Sequence, residues 1–128
     1  MMAMFVGDIM SKINIKVTIK NKESDISYET KGILLNNELK YYEENNTKVV
    51  FNYDNNHLIR TNDELRMDFT FDLKKKTKGK IEIEELDKEL EVEIKTKRIE
   101  RQDNNILLDY SIDEDKFIYR IEVIKWVY

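Results

Sequence analysis

Apolar side chains recur two residues apart in stretch after stretch of this chain. Ile13, Ile15, Val17 and Ile19 form one such set. Others are Val49, Phe51 and Tyr53; Leu65, Met67, Phe69 and Phe71; Leu90, Val92 and Ile94; and Phe117, Tyr119, Ile121 and Val123. A period of two sends successive side chains to opposite faces of an extended backbone, so each set makes one face of a β-strand. Asn and Asp punctuate the runs, at Asn36-Asn37, Asn45-Asn46, Asn55-Asn56, Asn62-Asp63 and Asn104-Asn105. With three glycines and no proline, the chain must draw its left-handed turn conformations from these residues.

The alternation predicts ten strand-like runs, at 12–21, 24–35, 38–44, 47–54, 57–62, 64–72, 78–86, 89–100, 104–112 and 116–127. Some of them are expected to be one kinked strand counted twice, leaving about eight main strands. Links this short permit antiparallel hairpins and forbid parallel crossovers, which need about a dozen residues. A meander of this length removes its exposed edges by closing on itself. The expected fold is therefore all-β, an antiparallel up-and-down barrel, with a two-sheet sandwich as the alternative. Residues 12–128 form one domain. Residues 1–11 are a leader or a short helix, because Phe5, Val6, Ile9 and Met10 have helical spacing.

Pairing about Asp87-Lys88 sets Ile83 opposite Val92 and Ile81 opposite Ile94. The same register puts Glu84 opposite Glu91 and Glu82 opposite Glu93. Carried onto the next strand, it puts Ile94 beside Leu108, Val92 beside Tyr110 and Asp109 beside Glu93. An acidic outer patch follows, mildly destabilising because like charges face one another. Around Asn36-Asn37, Gly32 faces Tyr41, where an aromatic ring can cover a mid-strand glycine. A bulge near Glu43–Asn46 would reconcile an inward Tyr41 with the following hairpin. The inward set is expected to include Ile15, Val17, Phe51, Met67, Phe69, Ile83, Val92, Ile94, Leu108, Tyr119 and Ile121.

Composition narrows the function classes. The formal net charge is -4, which argues against nucleic acid and against an anionic membrane surface. There is no cysteine, so disulfides, thiolate catalysis and cysteine metal sites are excluded. A reducing cytoplasm is the expected location. No Gly-rich phosphate loop, nucleophile elbow or metal-ligand spacing is present. The expectation is a protein that is not an enzyme and that carries no cofactor.

Residues 26–44, Ile-Ser-Tyr-Glu-Thr-Lys-Gly-Ile-Leu-Leu-Asn-Asn-Glu-Leu-Lys-Tyr-Tyr-Glu-Glu, carry a further signal. Thr30 and Gly32 are followed by Tyr41 or Tyr42 and then Glu43 or Glu44. Beyond them come Arg60, Arg66-Met67 with Phe69, and Leu90-Glu91 with Thr96 and Ile99. This pattern, over roughly residues 12–125, resembles the YwiB-like family of small bacterial proteins with a calycin-like, lipocalin-type barrel. The chain departs from it at Asp87-Lys88, where the family tends to have glycine, and at Lys74–Lys78, where a glycine and an aromatic are expected. The family has no assigned activity. The resemblance therefore implies a fold and no reaction.

The candidate site residues are Glu43, Arg60, Arg98, Tyr41 and Tyr53. Glu43 faces inward when Tyr41 does, and Arg60 sits one hairpin along. Arg98 continues the inward series Leu90, Val92, Ile94 and Thr96 towards a barrel end. Inward arginines can grip a carboxylate in a bidentate fork, or close a barrel mouth as structural ion pairs. Tyr28, Tyr41, Tyr53, Tyr110 and Tyr119 can line a cavity or pack as core with their hydroxyls at the rim. His57, the single histidine, stands at a hairpin tip, where solvation is the ordinary state. The expected function is binding of a small apolar or amphipathic ligand in or at the mouth of the barrel. The alternative is a protein-interaction module, monomer or dimer, that meets its partner through charged outer faces. For that, the Glu82–Glu93 hairpin is acidic and Lys74–Lys80 is basic.

Overall fold

The structure, a computed structural model, describes residues 10–127, apart from the side chain of Asn45. Ten antiparallel strands follow one another: β1 (Ser11–Asn21), β2 (Asp25–Leu35), β3 (Glu38–Glu43), β4 (Thr47–Asn52), β5 (His57–Thr61), β6 (Leu65–Thr70), β7 (Thr77–Ile83), β8 (Lys88–Gln102), β9 (Asn105–Ile112) and β10 (Asp115–Trp126). Each pairs with the next, and β1 pairs with β10, so the sheet closes into a barrel rather than a sandwich. The ten runs are thus ten separate strands, more than the eight or so expected. The first strand opens at Ser11, one residue earlier than expected. Of the leader or helix expected over residues 1–11, residues 1–9 lie outside the described residues, and Ser11 belongs to β1.

Turn chemistry explains why no two runs merge. Among the described residues, those with positive φ are Asn36, Asn37, Asn46, Asn56, Asp87, Asp103 and Asp113. All are Asn or Asp, whose short polar side chains tolerate the left-handed region. Other turns are held by side chains. The Asn62 Oδ1 accepts from the Glu64 and Leu65 amides at 2.8 and 2.9 Å, and Asn21 Oδ1 accepts from Glu23 and Ser24, each at 2.9 Å. A 3-10 turn, Glu44–Asn46, links β3 to β4. It carries an inward Tyr41 into the following hairpin without the expected bulge in the ladder: Tyr41 pairs with Val49 and points inward, while Tyr42 is exposed.

The turns at 36–37, 53–56, 71–76 and 103–104 gather at one end of the barrel, here the lower end. Those at 22–24, 44–46, 62–64, 84–87 and 113–114 form the upper end. Side chains fill the axis. Ile13, Ile15, Val17, Leu39, Tyr41, Val49, Phe51, Ile94, Leu108 and Ile121 are buried in one cluster, and Tyr53, Phe71 and Ile106 pack into it towards the lower end. Gly32 pairs with Tyr41 as expected. Gly79 serves a closer approach: a Cβ there would lie 2.5 Å from Phe69 Cδ1. The ring lies directly on the backbone of the neighbouring strand, as an aromatic covering a strand glycine does.

Two registers differ from expectation. The β7–β8 loop is the four-residue turn Glu84–Asp87, closed by Asp87 N–H to Glu84 O at 3.1 Å. Ile83 therefore faces Lys88, Ile81 faces Leu90, and Gly79 faces Val92. The slip replaces two of the like-charge pairs by unlike ones and leaves Glu82 opposite Glu89. Lys78 and Lys80 stand opposite Glu93 and Glu91. Ion pairs then form on the diagonal: Lys76–Glu93 and Lys78–Glu91 at 3.3 Å, and Lys80–Glu89 at 3.7 Å. The continuous acidic patch does not form. On the other side, Ile94 pairs with Ile112 and Thr96 with Tyr110, and an extra residue at Lys97 then shifts the ladder, so that Arg98 meets Asp109. The shift reverses which side chains face inward. Ile99 packs on the core and Arg98 stands outside.

Core and surface substitutions should separate cleanly. Ile94, fully buried, should lose about 2–5 kcal/mol on change to Ala. Glu93→Ala, in an exposed pair, should stay within about 0.5 kcal/mol. Gly79→Ala should cost more than Gly32→Ala, about 1–3 kcal/mol for overpacking. At Gly32 the added Cβ meets the flexible Leu39 Cδ1 at 3.0 Å. Urea unfolding of the four variants checks the order; equal losses at the two glycines would contradict the Phe69 contact.

Candidate functional site

The upper end differs from the axis below it. Its inward side chains are half-buried: Ile19, Tyr28, Met67, Ile81, Val92, Ile112 and Phe117 only partly cover the core. Leu65 and Ile83 are also half-buried, and Leu90 is 41% exposed. They belong to the wall formed by β6, β7 and the start of β8, which rises above the β9–β10 turn because β8 first meets β9 at Ile94. The upper end is therefore an open mouth with an apolar lip on one side.

Polar groups lie beneath that lip. Val49 pairs with both Tyr41 and Arg60, so Arg60 shares the inward row with Tyr41. Glu43, two residues after Tyr41, also faces inward. Arg60 Nη2 donates to Glu43 Oε1 at 2.5 Å. The other carboxylate oxygen accepts from the Tyr28 hydroxyl. Below them the Tyr41 and Tyr119 hydroxyls hydrogen-bond each other; at the rim, Asn62 Nδ2 donates to Thr47 Oγ1 at 3.0 Å. The Glu43 side chain is 10% exposed and the Arg60 side chain 29%. Arg60 Nε is buried without a hydrogen-bond partner among the described residues, as is Thr96 Oγ1.

The phenols stay protonated. Burial, reinforced by Tyr41 and by Glu43, pushes Tyr28 far above the ordinary tyrosine range. Burial also raises Tyr41, helped by the Glu43 charge and opposed by Tyr28 and Arg60. Tyr110 is pushed up to about 12 by burial, which the Arg60 charge partly offsets. Neutral phenols can donate hydrogen bonds to a carboxylate, which suits the place of Tyr28 beside Glu43.

The other candidate residues lie elsewhere. Tyr53 belongs to the lower end, where its hydroxyl donates to Asn104 O at 2.8 Å. Burial pushes it up to about 12, partly offset by Arg101. Arg98 is not inward: its guanidinium lies 3.1 Å from Glu100 and 3.8 Å from Asp109 on the outer face. The arginine brought to a barrel end beyond the bulge is Arg101, which donates to Tyr53 O at 2.6 Å and lies 5.4 Å from the centre of its ring. The jump from Thr96 to Ile99 in an otherwise even series marks that bulge. His57 pairs with Asp68 at 2.5 Å, and Arg66 approaches the same carboxylate at 3.6 Å.

The chain is thus a closed antiparallel barrel of ten strands with a buried Tyr–Glu–Arg network under one open end. Its fold is similar to that in the crystal structure of the YwiB protein from Bacillus subtilis, with a TM-score of 0.62 at 20% identity, covering 88% of each chain. Likeness at that identity is likeness of fold. No family model and no curated protein matches the sequence.

Two measurements follow. Removing one member of the ion pair strands the other in a half-buried place. Glu43→Ala should therefore cost about 2–3 kcal/mol, less than for a fully buried pair, and the double change Glu43→Gln with Arg60→Met should recover much of the loss. Equal losses in the single and double variants would show that the two do not interact. The tyrosines also set an alkaline limit. The unfolded chain loses phenolic protons near pH 10, whereas Tyr53 and Tyr110 hold theirs to about 12. Stability should be complete below pH 10 and fall between 10 and 12, because the folded state there binds more protons. Urea midpoints should drop less steeply over that range in Tyr110→Phe.

Proposed function

We propose that this barrel binds a small amphipathic anion at its upper mouth, without catalysing a reaction. The observation that carries the reading is Arg60. Its guanidinium is held inside the lumen by Glu43 and leaves Nε without a partner among the described residues, and Arg60 stands opposite half-buried Met67, which pairs in turn with Ile81. Such an arginine can take a ligand carboxylate through its remaining donors. The apolar tail then lies against Met67, Ile81 and Val92. Side chains fill the axis, so the ligand occupies the mouth and not the middle of the barrel. A calycin-like relationship would agree with binding at an open end.

Dodecanoate and dodecyltrimethylammonium, competing with a fluorescent apolar probe, test the charge and the apolar surface separately. Dodecanoate should bind more tightly. The double variant Glu43→Gln with Arg60→Met should remain folded and lose roughly tenfold or more of that preference, about 1.4 kcal/mol. Equal affinity for the two amphiphiles, or an unchanged preference in the double variant, would overturn the proposal. Native mass spectrometry of protein purified from its own cells shows directly whether an acidic amphiphile is retained.

A further inference from the structure

A barrel removes strand edges, yet this one keeps a short edge at its upper rim. β8 begins at Lys88 but meets β9 only from Ile94 onward. The nearest backbone link beyond that ladder is Asp113 N–H to Glu93 O at 3.4 Å. From Lys88 to Val92, the described pairing supplies a neighbour on one side alone, β7. The edge is extended, exposed along Lys88–Glu91 and half-buried at Val92. An unpaired edge offers alternate N–H and C=O groups to any extended segment that can lie beside it.

The two faces of this edge differ in chemistry. Leu90 and Val92 lie on the inward side, while Glu89 and Glu91 point outward, where each already pairs with a β7 lysine. Carboxylates also bracket the gap. Asp87 stands at one end, and Asp113 and Glu114 stand on the turn that forms its floor; none of these three is in an ion pair among the described residues. A second copy of this chain fits poorly. Antiparallel self-pairing about Glu91 would set Glu91 against Glu91 and Glu89 against Glu93, pairing about Leu90 would set Glu89 against Glu91, and like charges directly opposite are destabilising.

We infer that the Lys88–Val92 edge is a strand-addition site for a partner protein segment in which basic and apolar residues alternate. The segment extends the barrel wall above the β9–β10 turn. Its backbone bonds to β8, its apolar side chains join Leu90 and Val92 over the mouth, and its lysines or arginines meet Asp87, Asp113 and Glu114, the carboxylates that bracket the gap. This inference does not depend on the amphiphile reading.

A short acetylated peptide alternating lysine with valine is the probe, and backbone amide hydrogen exchange of the full chain is the readout. The peptide should slow exchange at alternate amides between Lys88 and Val92. N-methylation of its edge-facing amides should weaken binding roughly tenfold or more, because strand addition depends on main-chain hydrogen bonds. Its glutamate–valine counterpart should not bind, and raised salt should weaken the complex. Equal binding of the N-methylated peptide would reduce the contact to surface charge and overturn the inference. So would absence of protection at low salt, or protection of this edge that appears with protein concentration alone, which would make a second copy its occupant.

Discussion

Pairing of the first strand with the last is the constraint on which the other features rest. Ile15, Val17 and Ile19 of β1 stand opposite Val123, Ile121 and Tyr119 of β10. Without that seam the sheet would have two long edges and no interior. With it, ten strands surround one lumen, and every inward position becomes core or mouth. Closure also brings Tyr119 to Tyr41, joining the last strand to the polar network of the middle hairpins.

Charge then sets the register that hydrophobicity leaves undecided. Glu alternates with apolar residues on both arms of the β7–β8 hairpin, so any even slip keeps apolar side chains on one face. The observed slip is the one that brings Lys76, Lys78 and Lys80 within reach of Glu93, Glu91 and Glu89. Each exposed pair contributes little by itself. Set against the like-charge alternative, three such pairs tilt a choice between registers of similar apolar burial.

Strand positions were legible because alternation and turn residues agree. The ten expected runs lie where the ten strands lie, and the positive-φ residues are the Asn and Asp types that lack of glycine in the turns demands. The Glu43–Arg60 contact was legible too, from inward parity and hairpin adjacency. Two things were not. Period two is blind to even slips, which hid the four-residue Glu84–Asp87 turn, although the matched spacing of lysines and glutamates could have pointed to it. The extra residue at Lys97 reversed the facing of Arg98 and Arg101, and the irregular step from Thr96 to Ile99 was its only trace. The contribution of Tyr28 to the Glu43 carboxylate depends on how far the sheet curls, which a linear reading of pairs does not give.

The seam between β1 and β10 also orders events in time. Neighbouring strands joined by tight turns can pair as soon as they emerge during synthesis, since their loops are short. The partner of β1 is encoded about a hundred residues later. Until residues 115–126 have been made, β1 has no β10 to pair with, and β9 lacks a neighbour on the same side. The nascent sheet thus carries two adhesive margins until β10 is made, and that one strand caps both at once. Damage to β10 would therefore convert a closed shell into an open sheet prone to self-association, even though the first nine strands keep every local turn they need.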